Sequence, residues 1–280
     1  MTKKENGHLK QKIIIVVIAV IAVIALLALV AIKISGYVRV SNLCEEIKAG
    51  KNIETNISNG TSAPIFLTKV EPFFDWTFVE IPLVEACYYR NVQAVEVLLE
   101  NGANPNFFFK GRWSPIEAAI VSSPTSEKSF EIIKMLVEHG CDVNLHASRE
   151  PVLEILSTRI VLGDDSEITR EIFLYLLDNG ADRSWEGESF LHNIVRGGDV
   201  KFAQKLIEEY GFSVNDRGHG GKTPLIISAS YLERSVKVEM VEMLIKHGAD
   251  TSITDDYGKT ALDYALELGY DEIAQVLSEK

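Results

Sequence analysis

Residues 223–250 read TPLIISASYLERSVKVEMVEMLIKHGAD, and the fold turns on the signals at their two ends. Thr223 followed by Pro224 is a helix start, because the hydroxyl accepts an orphan backbone N–H and proline at the first helical position gives up a hydrogen bond that would not form anyway. Gly248 is a helix stop, since glycine enters the left-handed region at little steric cost. A helix, a break and a second helix that ends in Gly-Ala-Asp is what this stretch specifies.

Both signals recur along the chain, and a period in the range of 20 to 50 residues changes the reading of the whole fold. Stop phrases are LLENGANPN at 98–106, LVEHGCDVN at 136–144, LLDNGAD at 176–182, LIEEYGFSVN at 206–215 and LIKHGAD at 244–250. Matching openers are IPLVEA at 81–86, SPIEAA at 114–119, EPVL at 150–153, SFLH at 189–192, TPLI at 223–226 and TALDYA at 260–265. Small alanines in the openers let helices approach closely. Ahead of the stops, Val95, Leu98 and Leu99, or Ile132, Ile133 and Leu136, stand at helical spacing. Between units, DRGHGGK at 216–222 and DDYGK at 255–259 are turn sequences that bend as tight hairpins.

This pattern of turn, T-P-L-H-x-A helix, E-x-V-x-x-L-L helix and G-A-D-x-N ending resembles the ankyrin repeat over residues 77–280. The resemblance implies an all-α solenoid of helix-turn-helix units with hairpin fingers projecting to one side, used as a protein-binding surface. About six repeats are expected, at 77–109, 110–145, 146–183, 184–217, 218–253 and 254–280. Departures from the pattern are a missing turn glycine in the third unit, Phe190 for proline in the fourth, and a sixth that stops after its second helix.

Chemical motifs are weighed against that repeat. Gly221-Lys222-Thr223 has the form of a P-loop end and raises a nucleotide-dependent switch as an alternative, but Asp216 occupies the position that needs the first glycine. Gly258-Lys259-Thr260 repeats the tripeptide at the same point of the next unit, as a repeat turn would. His139 and His247 share one position before the stop glycine, and His192 falls where the repeat itself places histidine. Cys44, Cys87 and Cys141 have no metal or disulfide spacing, and Cys87 and Cys141 replace alanine, as small hydrophobes do. No catalytic residue, metal or cofactor is expected, and the chain reads as a non-enzyme.

Two surfaces are candidates for binding a protein partner. The first is the fingers: Phe107, Phe108, Phe109, Lys110, Arg112 and Trp113 between units one and two, and Arg183, Trp185, Glu186 and Glu188 between units three and four. Aromatics beside arginine are the residue types enriched at interface hot spots, although Trp113 and Trp185 could equally tuck against neighbouring repeats. The second is a set of inserted loops. Opener-to-glycine separations of 20, 25, 29, 21 and 24 residues place insertions around Ser122–Ser129, Gly163–Glu167 and Tyr231–Ser235. Of these, residues 122–126 are small, polar and expected to be mobile.

Ahead of the repeats, Ile13 to Ile32 is a run of twenty Ile, Val, Ala and Leu residues between Lys12 and Lys33. At about 1.5 Å per residue it covers roughly 30 Å, the hydrocarbon thickness of a bilayer. The chain therefore divides into a Lys-rich tail (1–12), one N-terminal transmembrane helix (13–34), a linker and capping segment (35–76) and the repeats. A cleaved signal peptide, leaving a secreted binding domain, is the alternative, although its apolar region is usually shorter. In the linker, Ser41 or Asn42 can cap a short helix ended by Gly50, and Asn56 and Asn59 lie in N-x-S/T sequons.

Lys3, Lys4, Lys10 and Lys12 precede the span, whereas Ser35–Glu46 hold only Arg39. Retention of short-loop basic residues on the cytoplasmic side then predicts a cytoplasmic N-terminus and an extracytoplasmic repeat domain. The net charge of −12 is uneven: residues 1–34 hold five Lys and one Glu, which leaves 23 basic and 39 acidic residues, or −16, in the body. Such a body repels phosphate, so nucleic acid is excluded as a partner.

Overall fold

The computed structural model describes residues 41–53, 81–108, 111–122, 124–145, 147, 150–163, 166–230 and 238–279. Outside them lie the tail 1–12, the expected membrane helix 13–34, the sequons at Asn56 and Asn59, Phe109, Lys110 and the insertion at 231–235. Among the described residues no helix is long and apolar enough to cross a membrane.

Among the described residues, helix α1 (41–48) comes first. Six helix pairs follow: α2 (Pro82–Tyr88) with α3 (Val92–Glu100), α4 (Pro115–Val121) with α5 (Glu127–Glu138), α6 (Val152–Val161) with α7 (Glu167–Asp178), α8 (Phe190–Gly197) with α9 (Val200–Glu208), α10 (Pro224–Ser230) with α11 (Val238–Lys246), and α12 (Ala261–Leu268) with α13 (Asp271–Ser278). A two-residue hairpin, β1 (Ser184–Trp185) with β2 (Glu188–Ser189), stands ahead of the fourth pair. The chain thus forms an all-α repeat stack.

Start signals act largely as their chemistry dictates. Ser114 and Thr260 close capping boxes with Glu117 and Asp263, Ser189 accepts from the Leu191 N–H, and Thr223 accepts from the Ile226 N–H at 3.3 Å. Two openers differ. Ile81 has no capping side chain, and Pro151 is the cap residue of α6 rather than its first helical residue.

The stops share one geometry. Gly102, Gly140, Gly180 and Gly248 have φ between +83° and +89°. In each case the next N–H donates to the carbonyl five residues back: Ala103 to Leu98, Cys141 to Leu136, Ala181 to Leu176 and Ala249 to Leu244, at 2.9 to 3.0 Å. Helix α1 ends the same way, with Gly50 at φ +68° and Lys51 N–H on the Glu46 carbonyl at 3.0 Å. It is therefore a second helix without a described first one, and its Cys44 and Ile47, with Ile53 beyond it, are fully buried. The fourth unit departs: Phe212 N–H reaches back six residues to Leu206, because Tyr210 adds one residue before Gly211.

First helices α2, α4, α6, α8, α10 and α12 pack side by side in one layer, and second helices α3 to α13 form another. Between the layers Leu98, Leu136, Leu176, Leu206 and Leu244 are all 0% exposed, each worth about 1.5 to 3 kcal/mol of transfer free energy. Outside the apolar core an asparagine four residues after the stop ties units together. Asn106 Nδ2 donates to the Gly140 carbonyl at 2.9 Å while its Oδ1 accepts from Asp142 N–H at 2.8 Å. Asn144 does the same to Gly180 and Asp182, and Asn215 to Gly248 and Asp250, at 2.8 to 3.0 Å.

Candidate protein-binding site

The first finger follows the stop of α3. Asn104 Oδ1 accepts from the Asn106 N–H at 2.9 Å, and Phe107 N–H donates to the Asn104 carbonyl at 3.2 Å, so the chain turns at once after Gly102. Phe107 and Phe108 come out half-buried, Gly111 has φ +80°, and Arg112 is exposed. Trp113 leaves 41% of its surface exposed yet stacks on Tyr88 of α2, with ring centroids 5.3 Å apart and planes 16° from parallel. Tyr88 meets Tyr89 edge to face at 5.2 Å, and Tyr89 is 48% exposed. One finger and the end of one helix together make a fixed, accessible aromatic platform. Phe109 and Lys110 lie outside the described residues.

The second predicted patch divides. In the β1–β2 hairpin Ser184 pairs with Ser189 and Trp185 with Glu188, and the turn between holds Glu186 at φ +49° and Gly187 at +82°. Trp185 is half-buried against the core, which leaves Arg183 and Glu186 as the exposed members. Glu188 is 13% exposed and faces Arg196 Nη2 at 3.1 Å and His219 Nε2 at 3.5 Å. That carboxylate is engaged within the stack. Among the described residues the two fingers form no contiguous patch, since two helix pairs separate them.

The loop at 122–126, expected to be mobile, is pinned among its described residues. Arg90, held at φ +54°, donates through Nη2 to the Ser122 and Pro124 carbonyls and through Nε to Ser129 Oγ at 3.0 Å. Thr125 Oγ1 lies against Thr169 Oγ1 of α7. Gly221-Lys222-Thr223 forms a finger turn and a helix cap: Lys222 Nζ sits over the Tyr264 ring at 4.7 Å and near Ser230 Oγ at 3.4 Å. A Cβ on Gly221 would meet Asp256 Oδ1 at 2.2 Å, so the glycine serves the contact between neighbouring fingers.

Three features escaped the sequence reading. Tyr88 and Tyr89 complete the platform, and their only sequence signal was an aromatic pair at the end of a short helix. Tyr257, 79% exposed at the last finger, lies inside a segment read as a turn. Asp255 fixes that turn by accepting from Tyr257 N–H at 2.9 Å, Lys259 N–H at 3.0 Å and Tyr264 Oη at 2.6 Å. Burial alone would raise the Asp255 carboxyl, but these hydrogen bonds and the Lys222 charge outweigh it and hold it below its ordinary 3.8.

Cys87 and Cys141 are held as neutral thiols. Burial pushes Cys87 well up, and burial with the nearby Asp142 charge pushes Cys141 up to about 12. Among the described residues no group of His, Cys, Asp and Glu side chains is placed to hold a metal.

A family model described as ankyrin repeats, in three copies, matches residues 42–147, 165–255 and 191–280. YahD of Escherichia coli (strain K12), named as an ankyrin repeat protein, is 30% identical over 153 residues, which is 54% of this chain and 73% of that one. Among solved structures, the human ASB11 ankyrin repeat domain is 26% identical with a TM-score of 0.58, covering 84% of this chain and 96% of that one. The ankyrin repeat protein EF0377 is 25% identical with the same TM-score, covering 70% and 96%.

Proposed function

The chain belongs to the ankyrin repeat family, and on that premise we propose that it is a non-catalytic scaffold that captures another protein on the surface around Trp113. Ankyrin repeat domains are typically protein–protein interaction modules. The observation that carries the reading is the Tyr88–Trp113 stack with Tyr89 beside it, large aromatic area left open on a backbone that packing already holds. Rigid aromatics of this kind lose little conformational entropy on binding, which is why they serve as anchors.

The same reading places the scaffold at a membrane. Twenty unbroken apolar residues, Ile13 to Ile32, support a single-pass anchor, and the lysines before it support a cytoplasmic N-terminus with the repeats on the other side. The net −16 of the body favours a partner with a basic face over nucleic acid.

A photo-crosslinking residue at Arg112, beside the platform and leaving Trp113 in place, tests this in native membranes, with one at Glu131 on the opposite layer as control. Capture of one defined protein from position 112, absent from 131, is expected. Equal labelling from both positions, or from neither, would overturn the assigned surface.

A further inference from the structure

The third and seventh residues, counted from the start of each opener, lie one turn apart on the same side of the unit's first helix. In the first five units, from Leu83 and Cys87 to Leu225 and Ala229, all ten are between 0% and 4% exposed. Each of those first helices has the next unit's first helix packed beside it. In the sixth unit the same two positions hold Leu262 and Leu266, and there Leu262 is only half-buried and Leu266 is 63% exposed. Ala261 and Ala265 of the same helix stay at 1% and 0%. The stripe that opens on α12 is therefore the one that a following unit covers elsewhere.

The last finger shows the same edge. Gly218 and Asp255 close matching turns, each N–H donating to the carbonyl four residues on, so Tyr257 stands where the preceding finger has Gly220. The Gly220 carbonyl accepts from the Asp256 N–H of the next finger at 3.0 Å, which makes this the position through which one finger meets the next. Tyr257 holds it with 79% of its surface open, on a turn that Asp255 fixes. The second-helix side differs. Ser278 follows the buried Leu277 where Leu99, Val137, Leu177, Ile207 and Ile245 follow the buried leucines of the other units, and it is exposed, its hydroxyl donating to the Ala274 carbonyl at 2.6 Å. An end unit that had only to stay soluble would be polar on both helices; α13 is polar at this position and α12 is not.

Charge narrows what can cover the stripe. From Thr254 to Glu279 the sixth unit carries seven acidic residues and one basic, a net −6, and that one, Lys259, already meets Glu267 at 2.7 Å. Asp263 and Glu267, both exposed, each stand one residue beyond a leucine of the stripe, so carboxylates flank it.

We propose that the Leu262–Leu266 stripe, with Tyr257, is the docking site for a basic amphipathic helix of another protein, which packs on α12 as a following first helix would. Side-by-side helix packing is what the same positions receive at each inner joint, and the net −6 calls for Lys and Arg beside the apolar face of the helix that docks. A second copy of this chain would instead set one acidic end against another. Units three to five separate this end from the Trp113 finger, so either surface can fail without the other.

Fluorescence anisotropy on the full chain in neutral detergent tests the site with a synthetic probe. The probe is a labelled, helix-forming peptide of about 18 residues with leucines at i and i+4 and lysines on the flanks, compared with the same peptide carrying glutamates for the lysines. The lysine peptide should bind wild type about tenfold or more tightly than the glutamate peptide does, and about tenfold or more tightly than it binds Leu266→Lys. The melting temperature of Leu266→Lys should stay within a few degrees of wild type, because the side chain is exposed. Glu131→Gln, which makes the same change in net charge at an exposed position of α5, should bind as wild type does. Equal binding of the two peptides, binding that survives Leu266→Lys, no binding at all, or a melting temperature that falls with the affinity would overturn the proposal. So would a wild-type dimer in sedimentation that Leu266→Lys splits, since a second copy would then be the occupant.

Discussion

A single amide side chain at position 144 satisfies one carbonyl and one N–H of the next unit, and it does so at the exposed edge, where water can replace it. Asn144→Ala should therefore cost about 1 kcal/mol in urea melts, whereas Leu136→Ala, which leaves a cavity in a site with no exposure, should cost about 2 to 5 kcal/mol. A silent Leu136→Ala would contradict the repeat register. Asp255 and Tyr264 give a pH dependence with a definite sign. The depressed Asp255 carboxyl contributes stability that is complete above its ordinary 3.8 and lost as pH falls through its folded value. Tyr264, raised to about 12 by its bond to Asp255 and by burial, contributes below its ordinary 10.0 and loses that contribution as pH rises through about 12. The melting temperature of wild type should thus fall more steeply than that of Asp255→Asn from about pH 4 downward, and parallel curves would refute the assignment. The apolar residues before each stop were legible from helical spacing alone. The bridging role of Asn106, Asn144 and Asn215 was not, because a local turn signal says nothing of the unit 33 to 38 residues away that completes it.

Helix starts and stops are local chemistry, and at that scale the sequence was most readable. Ser114, Thr223, Thr260 and the glycines 102, 140, 180 and 248 act where their residue types place them. Gly140 has φ +83° and nothing within 4 Å of an added Cβ, so Gly140→Ala meets conformational strain without a clash. It should cost about 1 to 2 kcal/mol in a urea melt; no loss would mean that the stop does not need the left-handed residue. What stayed hidden were long-range effects. Arg90 pins a loop more than thirty residues away that composition marked as mobile, and it does so from a backbone conformation that no local pattern announced. Tyr210 looked like part of an ordinary stop phrase, and its extra residue shows only once the Phe212 hydrogen bond is traced to Leu206. Pro151 likewise moved from first helical residue to cap because the third opener lacks a Ser or Thr to take that place.

For the molecule as a whole, the repeat period carried the fold, while the proposed binding surface was only partly legible. Of the residues named from sequence, Arg112 and Trp113 are open on the first finger, and Arg183 and Glu186 on the other; Trp185 and Glu188 went into the stack because Trp packs well and a carboxylate near Arg196 is better paired than solvated. The proposed anchor sets where a partner can be met. Protease added to intact cells or spheroplasts should digest a C-terminal tag, and protection of the tag until the membrane is permeabilised would put the repeats in the cytoplasm instead. If the open aromatics of the first finger bind rather than hold the fold, titration of the crosslinked partner against wild type and Trp113→Ala, alongside the melting temperature of each, separates the two roles. Affinity should weaken about tenfold or more with the melting temperature within a few degrees of wild type. Unchanged affinity would contradict the binding role, and a melting temperature that collapses with the affinity would assign Trp113 to the fold instead.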